Sequence, residues 1–194
     1  MSALTVGHDS GQSWDDLVRL WEEMDWPEGS KVEIVEGVVT VSPSPSNEHN
    51  VIAEKVQRCL YSVLPDDWGI YQTLSLAVPS RLGMFIPDLV ALPVAEVEGP
   101  GTHVPAGAAE LVVEVTSPSN ARHDRVSKPA AYAAAGIPLY LLIDRWAPGG
   151  PTITLYGEPR GDVYRTLRAC KFGEPITLPA PFDLDFDTSA FPCD

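Results

Sequence analysis

Cysteine is scarce in this chain of 194 residues: there are three, and none of them stands in a C-x-x-C pair. An odd number of widely spaced cysteines supports neither a disulfide framework nor a thiolate zinc site. A protein of the reducing cytoplasm is therefore expected. No apolar run approaches the roughly 20 residues that cross a bilayer, and no basic stretch leads into an apolar one near the N-terminus. Neither membrane insertion nor secretion is expected.

Positive charge is also scarce. The chain has 13 Lys and Arg against 27 Asp and Glu, which gives a formal net charge of −14. Because phosphate contacts come mainly from lysine and arginine, a broad polyanion-binding surface is not expected. One short segment is an exception, because Arg122, His123, Arg125 and Lys128 follow one another closely with Asp124 among them. Contact with nucleic acid would therefore be confined to one edge.

Several well-known catalytic motifs are missing from the sequence. The chain contains no G-x-S-x-G, G-x-x-x-x-G-K-[ST], G-x-G-x-x-G or H-E-x-x-H pattern. These absences argue against a serine hydrolase with a nucleophile elbow, a phosphate-loop nucleotidase, a dinucleotide oxidoreductase and a zinc protease.

The residues that are present suit one folded α/β domain. A hydrophobic content of 44% is enough to bury one core, so residues 1–194 are predicted to form a single domain, with 1–12 as a flexible N-terminal tail. Helical and strand patterns alternate along the chain. They predict a mixed central β-sheet flanked by helices, with an N-terminal helix and antiparallel C-terminal strands.

The pattern also predicts the individual elements. Helices are expected over Ser13–Met24, for about four turns after the N-cap Ser46, and from about Ser127 to Gly136, because Pro129 is tolerated only in a first turn. A surface loop is expected over Pro93–Ala108, and Leu111–Val115 and Leu139–Ile143 should form a right-handed parallel crossover. Strands are predicted over Lys31–Val41 as a hairpin, Ile70–Val78, Met84–Leu92, Thr152–Tyr156, Val163–Ala169 and Pro175–Leu178.

Two acidic residues stand out because they lie in apolar strands. Glu114 interrupts the run Leu111–Val115, and an isolated buried carboxylate costs several kcal/mol unless a cation or donors compensate it. Asp88 follows Pro87, which would divert the strand and turn the carboxylate toward a cleft. A hard divalent ion such as Mg²⁺ suits this pair, and Glu33 could be a third acid. The alternative is that Glu114 pairs with a core cation and that Asp88 accepts hydrogen bonds from a turn.

The order of short motifs resembles the PD-(D/E)XK nuclease superfamily, and more closely the Uma2 family, which is described as putative restriction endonucleases. The resemblance runs through nearly the whole chain. The matching stretches are Val32–Gly37, the Ser-Pro-Ser-Pro that follows, His49, Pro87-Asp88, Val113–Ser119, the spacing of Asp124, Lys128 and Tyr132, and Leu139–Asp144.

The resemblance implies a restriction-endonuclease-like core and a metal-dependent endonuclease acting on DNA. It implies that Asp88 and Glu114 bind Mg²⁺, or Mn²⁺, with Glu33 as an additional active-site acid. The superfamily motif places a lysine two residues after the glutamate, where this chain has Thr116. The resemblance points instead to Lys128 as a migrated catalytic lysine. Fold-level analogy also implies a homodimer.

Four further residues are candidates for substrate binding. His49 lies in the first turn of a predicted helix, where an ordinary polar role is the alternative. Tyr132 is four residues after Lys128 and could support the lysine or a phosphate, although core packing is the simpler role. Arg122 and Arg125 could neutralise a phosphodiester or form a solvated loop. Asp144 reads as a strand-terminal cap.

Two rival functions stay open. The displaced lysine and the acidic charge also suit a catalytically inactive nuclease-like module that binds or regulates a partner. A hydrolase that acts on a substrate other than nucleic acid is a third possibility.

Overall fold

The computed structural model describes residues 4–6, 13–25 and 28–192. The helices in these ranges are α1 (Trp14–Glu23), α2 (Asn47–Tyr61) and α3 (Lys128–Ala134). The strands are β1 (Leu4–Val6), β2 (Lys31–Val35), β3 (Val38–Ser42), β4 (Trp68–Tyr71), β5 (Ser75–Val78), β6 (Gly83–Phe85), β7 (Leu89–Pro93), β8 (His103–Pro105), β9 (Leu111–Val115), β10 (Leu139–Asp144), β11 (Thr152–Arg160), β12 (Val163–Lys171), β13 (Ile176–Leu178) and β14 (Leu184–Phe186).

The strands form two large sheets and one hairpin. The first sheet has the order β1-β3-β2-β6-β5-β8, the second has the order β12-β11-β10-β9-β7-β4, and β13 pairs with β14. Both large sheets are mixed, because β5 and β8 are parallel in the first and β9 and β10 are parallel in the second. The predicted mixed α/β class is confirmed, with two sheets in place of one.

Helix caps follow the predicted chemistry. Ser13 forms a capping box with Asp16 at the start of α1, and the Ser46 side chain accepts a hydrogen bond from the His49 N–H at the start of α2. The buried face of α2 packs against β9 and its neighbours, while α1 packs on the first sheet. Among the described residues, no helix has the length and apolar character that crossing a bilayer requires.

Two predicted strands each turned out to be two strands in different sheets. The stretch predicted as Ile70–Val78 is divided between β4 in the second sheet and β5 in the first, and Met84–Leu92 is divided between β6 and β7 in the same way. The second break lies at Pro87-Asp88, where proline has no N–H for a ladder hydrogen bond. Asp88 therefore lies where the chain passes from one sheet to the other.

The segment between β9 and β10 contains a π-helical turn. As predicted, α3 begins at Lys128 with Ser127 at the N-cap position and Pro129 in the first turn, but the Ser127 side chain makes no capping hydrogen bond. Residues His123–Ser127 form a π-helix directly before it, and the Lys128 N–H donates to the His123 carbonyl. A wider turn accommodates the missing N–H and the bulky ring of Pro129.

Two predictions about loops and termini need qualification. The stretch Pro93–Ala108 is not an irregular loop throughout, because β8 lies within it and pairs with β5. Residues 1–3 and 7–12 of the predicted tail lie outside the described residues, whereas Leu4–Val6 pair with β3. The single-domain organisation and the homodimer stay predictions.

Candidate active site

A cleft of about 750 Å³ opens beside the point where the chain changes sheets. Two Ser/Pro loops form its walls: loop 1 is Ser42–Ser46, and loop 2 is Thr116–Asn120. The remaining lining residues are Lys31, Glu48, His49, Asp88, Arg145 and Trp146. The structure thus brings the candidate residues Asp88 and His49 to one cleft and adds Lys31 to them.

Asp88 accepts contacts on both carboxylate oxygens. The Lys31 ammonium donates to Oδ1 at 2.8 Å, and Oδ2 accepts from the Val115 N–H at 2.8 Å and lies 3.1 Å from His49 Nε2. Burial alone would raise the pKa of Asp88, but Lys31 and His49 hold it well below its usual range. Asp88 is therefore a charged group at the base of the cleft.

A second group of charges lies behind Asp88 and is fully enclosed. The Lys128 ammonium is 2.9 Å from Glu114 Oε1, 3.1 Å from Glu33 Oε1 and 3.2 Å from Asp124 Oδ1. The side chains of Lys128, Glu114 and Asp124 are all 0% exposed. We call Glu33, Glu114, Asp124 and Lys128 the buried cluster. Lys128 carries its only cation, so its ammonium must serve three carboxylates.

Some oxygens of the buried cluster lack hydrogen-bond partners. Glu114 Oε1 also accepts from the Tyr132 hydroxyl at 2.8 Å, and Glu33 Oε1 accepts from the Ile86 N–H at 2.9 Å. Glu114 Oε2 and Asp124 Oδ2 are buried with no hydrogen-bond donor, and Asp124 Oδ1 has only its ion pair with Lys128. Unsatisfied buried oxygens are costly, so the site has capacity for a further cation or for protons.

The charge balance of the site supports this conclusion. The four carboxylates of Glu33, Asp88, Glu114 and Asp124 face the two ammonium groups of Lys31 and Lys128, which leaves two negative charges unmatched by lysine, with His49 as a further partner of Asp88 alone. Burial, assisted by neighbouring carboxylates, raises the pKa of Glu114 to about 8 and that of Asp124 to about 6. A divalent cation would supply the missing charge, and protons take its place when none is bound.

Two of these carboxylates are suited to hold such an ion. The ladder between β7 and β9 ends at Leu89 opposite Val113; Asp88 and Glu114 are the neighbours of this pair along the chain, and the Val115 N–H donates to Asp88 Oδ2. Within the described residues, no group of three or more His, Cys, Asp or Glu is arranged to hold a metal. Mg²⁺ is commonly held by one or two carboxylates, with water and substrate oxygens as its other ligands. The pair Asp88 and Glu114, with the unpartnered Oε2, fits that requirement.

The raised pKa of Glu114 predicts how stability changes with pH. In a chelator, the free energy of unfolding should fall by about 2 kcal/mol between pH 6 and pH 8. The ordinary pKa of 4.5 applies in the unfolded chain and about 8 in the folded one, so the stabilising proton is fully bound below pH 4.5 and lost as pH rises through 8. Urea denaturation at both pH values measures this, and Glu114→Gln should remove most of the fall, leaving the smaller part that comes from Asp124. A stability that is constant or rises would contradict it.

The two predicted arginines lie outside the residues that line the cleft. Arg125 donates to both oxygens of Asp144 at 2.8 Å and to the Trp146 carbonyl at 2.8 Å, so it fixes the end of β10. Arg122 is exposed and lies outside the residues that line the cleft. At the position where the superfamily has lysine, the Thr116 hydroxyl donates to Asp144 and accepts from the Arg145 N–H.

Sequence reasoning missed two charged partners. Lys31 was assigned no role, although a strand alternates its side chains and so places Lys31 and Glu33 on one face of β2. Asp124 was noted as an acid in a basic segment, but its place in the buried cluster was not predicted. Tyr132 lies in the core and contacts Glu114, outside the lining of the cleft.

Comparisons with known proteins identify the family of the chain and its fold. The family model described as "Uma2: Putative restriction endonuclease" matches residues 14–190. A crystal structure described as a putative nuclease belonging to DUF820 from Anabaena variabilis ATCC 29413 is similar, with a TM-score of 0.69 and 15% identity. The match covers 93% of this chain and 97% of that one, and at this identity it shows a shared fold. No curated protein sequence matches the chain.

Proposed function

The chain belongs to the Uma2 family of putative restriction endonucleases, and on this basis we propose that it is a metal-dependent endonuclease that hydrolyses phosphodiester bonds in DNA. The observation that carries the proposal is the charged Asp88 carboxylate at the base of a cleft, with the buried Glu114 carboxylate and its unpartnered Oε2 behind it, in a site where carboxylates outnumber lysines.

In this proposal Asp88 and Glu114 hold Mg²⁺ or Mn²⁺. When bound there, the ion would lower the pKa of a water molecule and stabilise negative charge on the phosphate oxygens. Asp88 is kept charged by Lys31 and His49, so it can bind a cation near neutral pH. Glu33 does not bind the ion directly in this proposal, because its Oε1 already accepts from the Lys128 ammonium and the Ile86 N–H. It acts by holding the Lys128 ammonium in place beside Glu114.

The two lysines have different roles in this proposal. Lys128 is fully buried and lies outside the lining of the cleft, so it acts through Glu114 as a positioning residue. Its ammonium and the Tyr132 hydroxyl fix Glu114 Oε1 and leave Oε2 available. Lys31 lines the cleft and its side chain is 20% exposed, so its ammonium is placed to meet a substrate phosphate.

The proposal is tested by cleavage of supercoiled plasmid and of labelled single- and double-stranded oligonucleotides. We expect cleavage by the wild type with Mg²⁺ or Mn²⁺, none in EDTA, and none above background for Asp88→Ala. Asp185→Ala, at an exposed position of β14, is the matched control and should cleave like the wild type. Equal cleavage by the wild type and Asp88→Ala would refute the assignment.

One observation favours a catalytically inactive nuclease-like module as the second candidate. The Lys128 ammonium is engaged by three carboxylates and does not reach the cleft, unlike a lysine that acts on substrate. Calorimetric titration with Mg²⁺ separates the two functions. Binding that is lost in Glu114→Gln supports the enzyme, and no binding by the wild type supports the inactive module.

A further inference from the structure

The carboxylates of the site are almost fully buried, and the cleft above them is small. The Asp88 side chain is 7% exposed, the Glu114 side chain is 0% exposed, and the cleft above them measures about 750 Å³. A cavity of this size is in the range that holds a small ligand, equivalent to about two nucleotides. The backbone of a DNA duplex follows a wide and stiff double helix and cannot bend into such a cleft, whereas the backbone of an unpaired strand is flexible enough to do so.

An exposed tryptophan stands at the edge of the same cleft. Trp146 is 49% exposed, and its main chain is fixed because its N–H donates to Asp144 Oδ1 at 3.1 Å and its carbonyl accepts from Arg125 at 2.8 Å. The Arg145 guanidinium lies 5.9 Å from the centroid of its ring. An exposed aromatic ring on an anchored main chain, with a cation beside it, suits the stacking of bases from single strands.

The charges of the cleft also favour a short, unpaired ligand. Lys31 and Arg145 are its two lysine or arginine side chains, and the chain as a whole carries −14. Proteins that bind duplex DNA commonly neutralise about 6–10 phosphates, whereas the two cationic side chains of this cleft can neutralise far fewer. Loops 1 and 2 contribute serine hydroxyls, which can donate to phosphate oxygens without adding charge.

We propose that the substrate of this site is an unpaired DNA strand, with one base stacked on Trp146 and its backbone lying between loops 1 and 2 above Asp88. Frayed ends, flaps and single-stranded gaps would present such a strand. This inference rests on the proposed nuclease function and specifies the form of DNA on which it acts.

The test measures binding by fluorescence anisotropy in EDTA, so that no cleavage occurs. The probes are a labelled single strand of 12 nucleotides and a duplex of the same sequence closed by a hairpin at each end. We expect the single strand to bind at least tenfold more tightly than the closed duplex. With two cations in the cleft, raising the salt from 50 to 200 mM should weaken this binding only about sevenfold.

Two variants examine the stacking. Trp146→Ala should weaken single-strand binding about 5- to 150-fold, whereas Trp146→Phe, which keeps a stacking face, should retain most of it. Tyr61→Ala is the matched control, because Tyr61 is a 55% exposed aromatic residue on α2 outside the cleft lining. Unchanged binding by Trp146→Ala, equal affinity for both probes, or no binding at all would overturn the inference.

The outcomes separate this inference from the nuclease function. Cleavage of closed duplex at least as fast as of single strands would refute the unpaired-strand substrate and leave the nuclease standing. Single-strand binding that depends on Trp146, without metal-dependent cleavage, would refute the nuclease and retain the binding site.

Discussion

Glu114→Gln is expected to slow Mg²⁺-dependent DNA cleavage about 10³-fold while the protein stays folded. The amide keeps an oxygen that can accept from Lys128 and Tyr132, so the local packing survives. It removes one of two anionic groups proposed to bind the ion. Electrostatic stabilisation by a bound ion is worth several kcal/mol, and a loss of about 4 kcal/mol corresponds to this change in rate.

The measurement is single-turnover cleavage at saturating Mg²⁺, with urea denaturation in EDTA as the test of folding. At pH 8 the free energy of unfolding should lie within about 1 kcal/mol of the wild type, because relief of charge repulsion offsets the burial of an amide N–H₂ group. Glu23→Gln, at an exposed position of α1, should leave both quantities unchanged. Cleavage by Glu114→Gln at the wild-type rate would contradict the metal assignment.

The burial of Glu114 could be predicted from five residues of sequence. Leu111–Val115 is apolar at adjacent as well as alternating positions, and such a strand must be covered on both faces. A glutamate within such a strand is buried whichever face of the sheet its side chain is on. The same local logic explains the capped starts of α1 and α2, because the capping side chain and the N–H that it accepts from are three residues apart.

The cations that compensate the buried acids could not be assigned in this way. Lys31 and Asp88 are 57 positions apart, and they meet only because the hairpin of β2 and β3 and the crossing between the two sheets converge at one place. Lys128 and Glu114 are 14 positions apart and meet across a helix and a strand. No local pattern encodes such contacts, so the resemblance to known nucleases was needed to nominate Lys128.

Proline marked two irregular positions without specifying their form. Pro87 showed that the ladder must break, but whether the strand bulges or changes sheets depends on partners elsewhere in the chain. Pro129 showed that a regular helix could not run through unaltered, and the structure places a π-helical turn before it. Asp124 lies within that turn, 3.2 Å from Lys128, so the turn carries one acid of the buried cluster.

Lys128→Met is expected to lower the free energy of unfolding by about 3–5 kcal/mol at pH 8. Methionine keeps most of the volume of the side chain but removes the ammonium that serves Glu33, Glu114 and Asp124. Three enclosed carboxylates are then left without their cation. Lys55→Met, the same substitution on the surface of α2, should change stability by no more than about 0.5 kcal/mol.

The defect in Lys128→Met should shrink at pH 5, because protons can then replace the missing ammonium. Burial already raises the pKa values of Glu114 and Asp124, and loss of Lys128 raises them further because its charge opposes that shift. A Lys128→Met/Glu114→Gln double variant should be more stable at pH 8 than Lys128→Met alone, since one unpaired carboxylate is gone. A defect that is equal at pH 5 and pH 8, with no recovery in the double variant, would mean that packing and not charge is the role of Lys128. Recovery would show that Lys128 acts as the permanent counter-ion of the buried cluster. A divalent cation at Asp88 and Glu114 would then neutralise the negative charge that remains after Lys128 has balanced one of the three carboxylates.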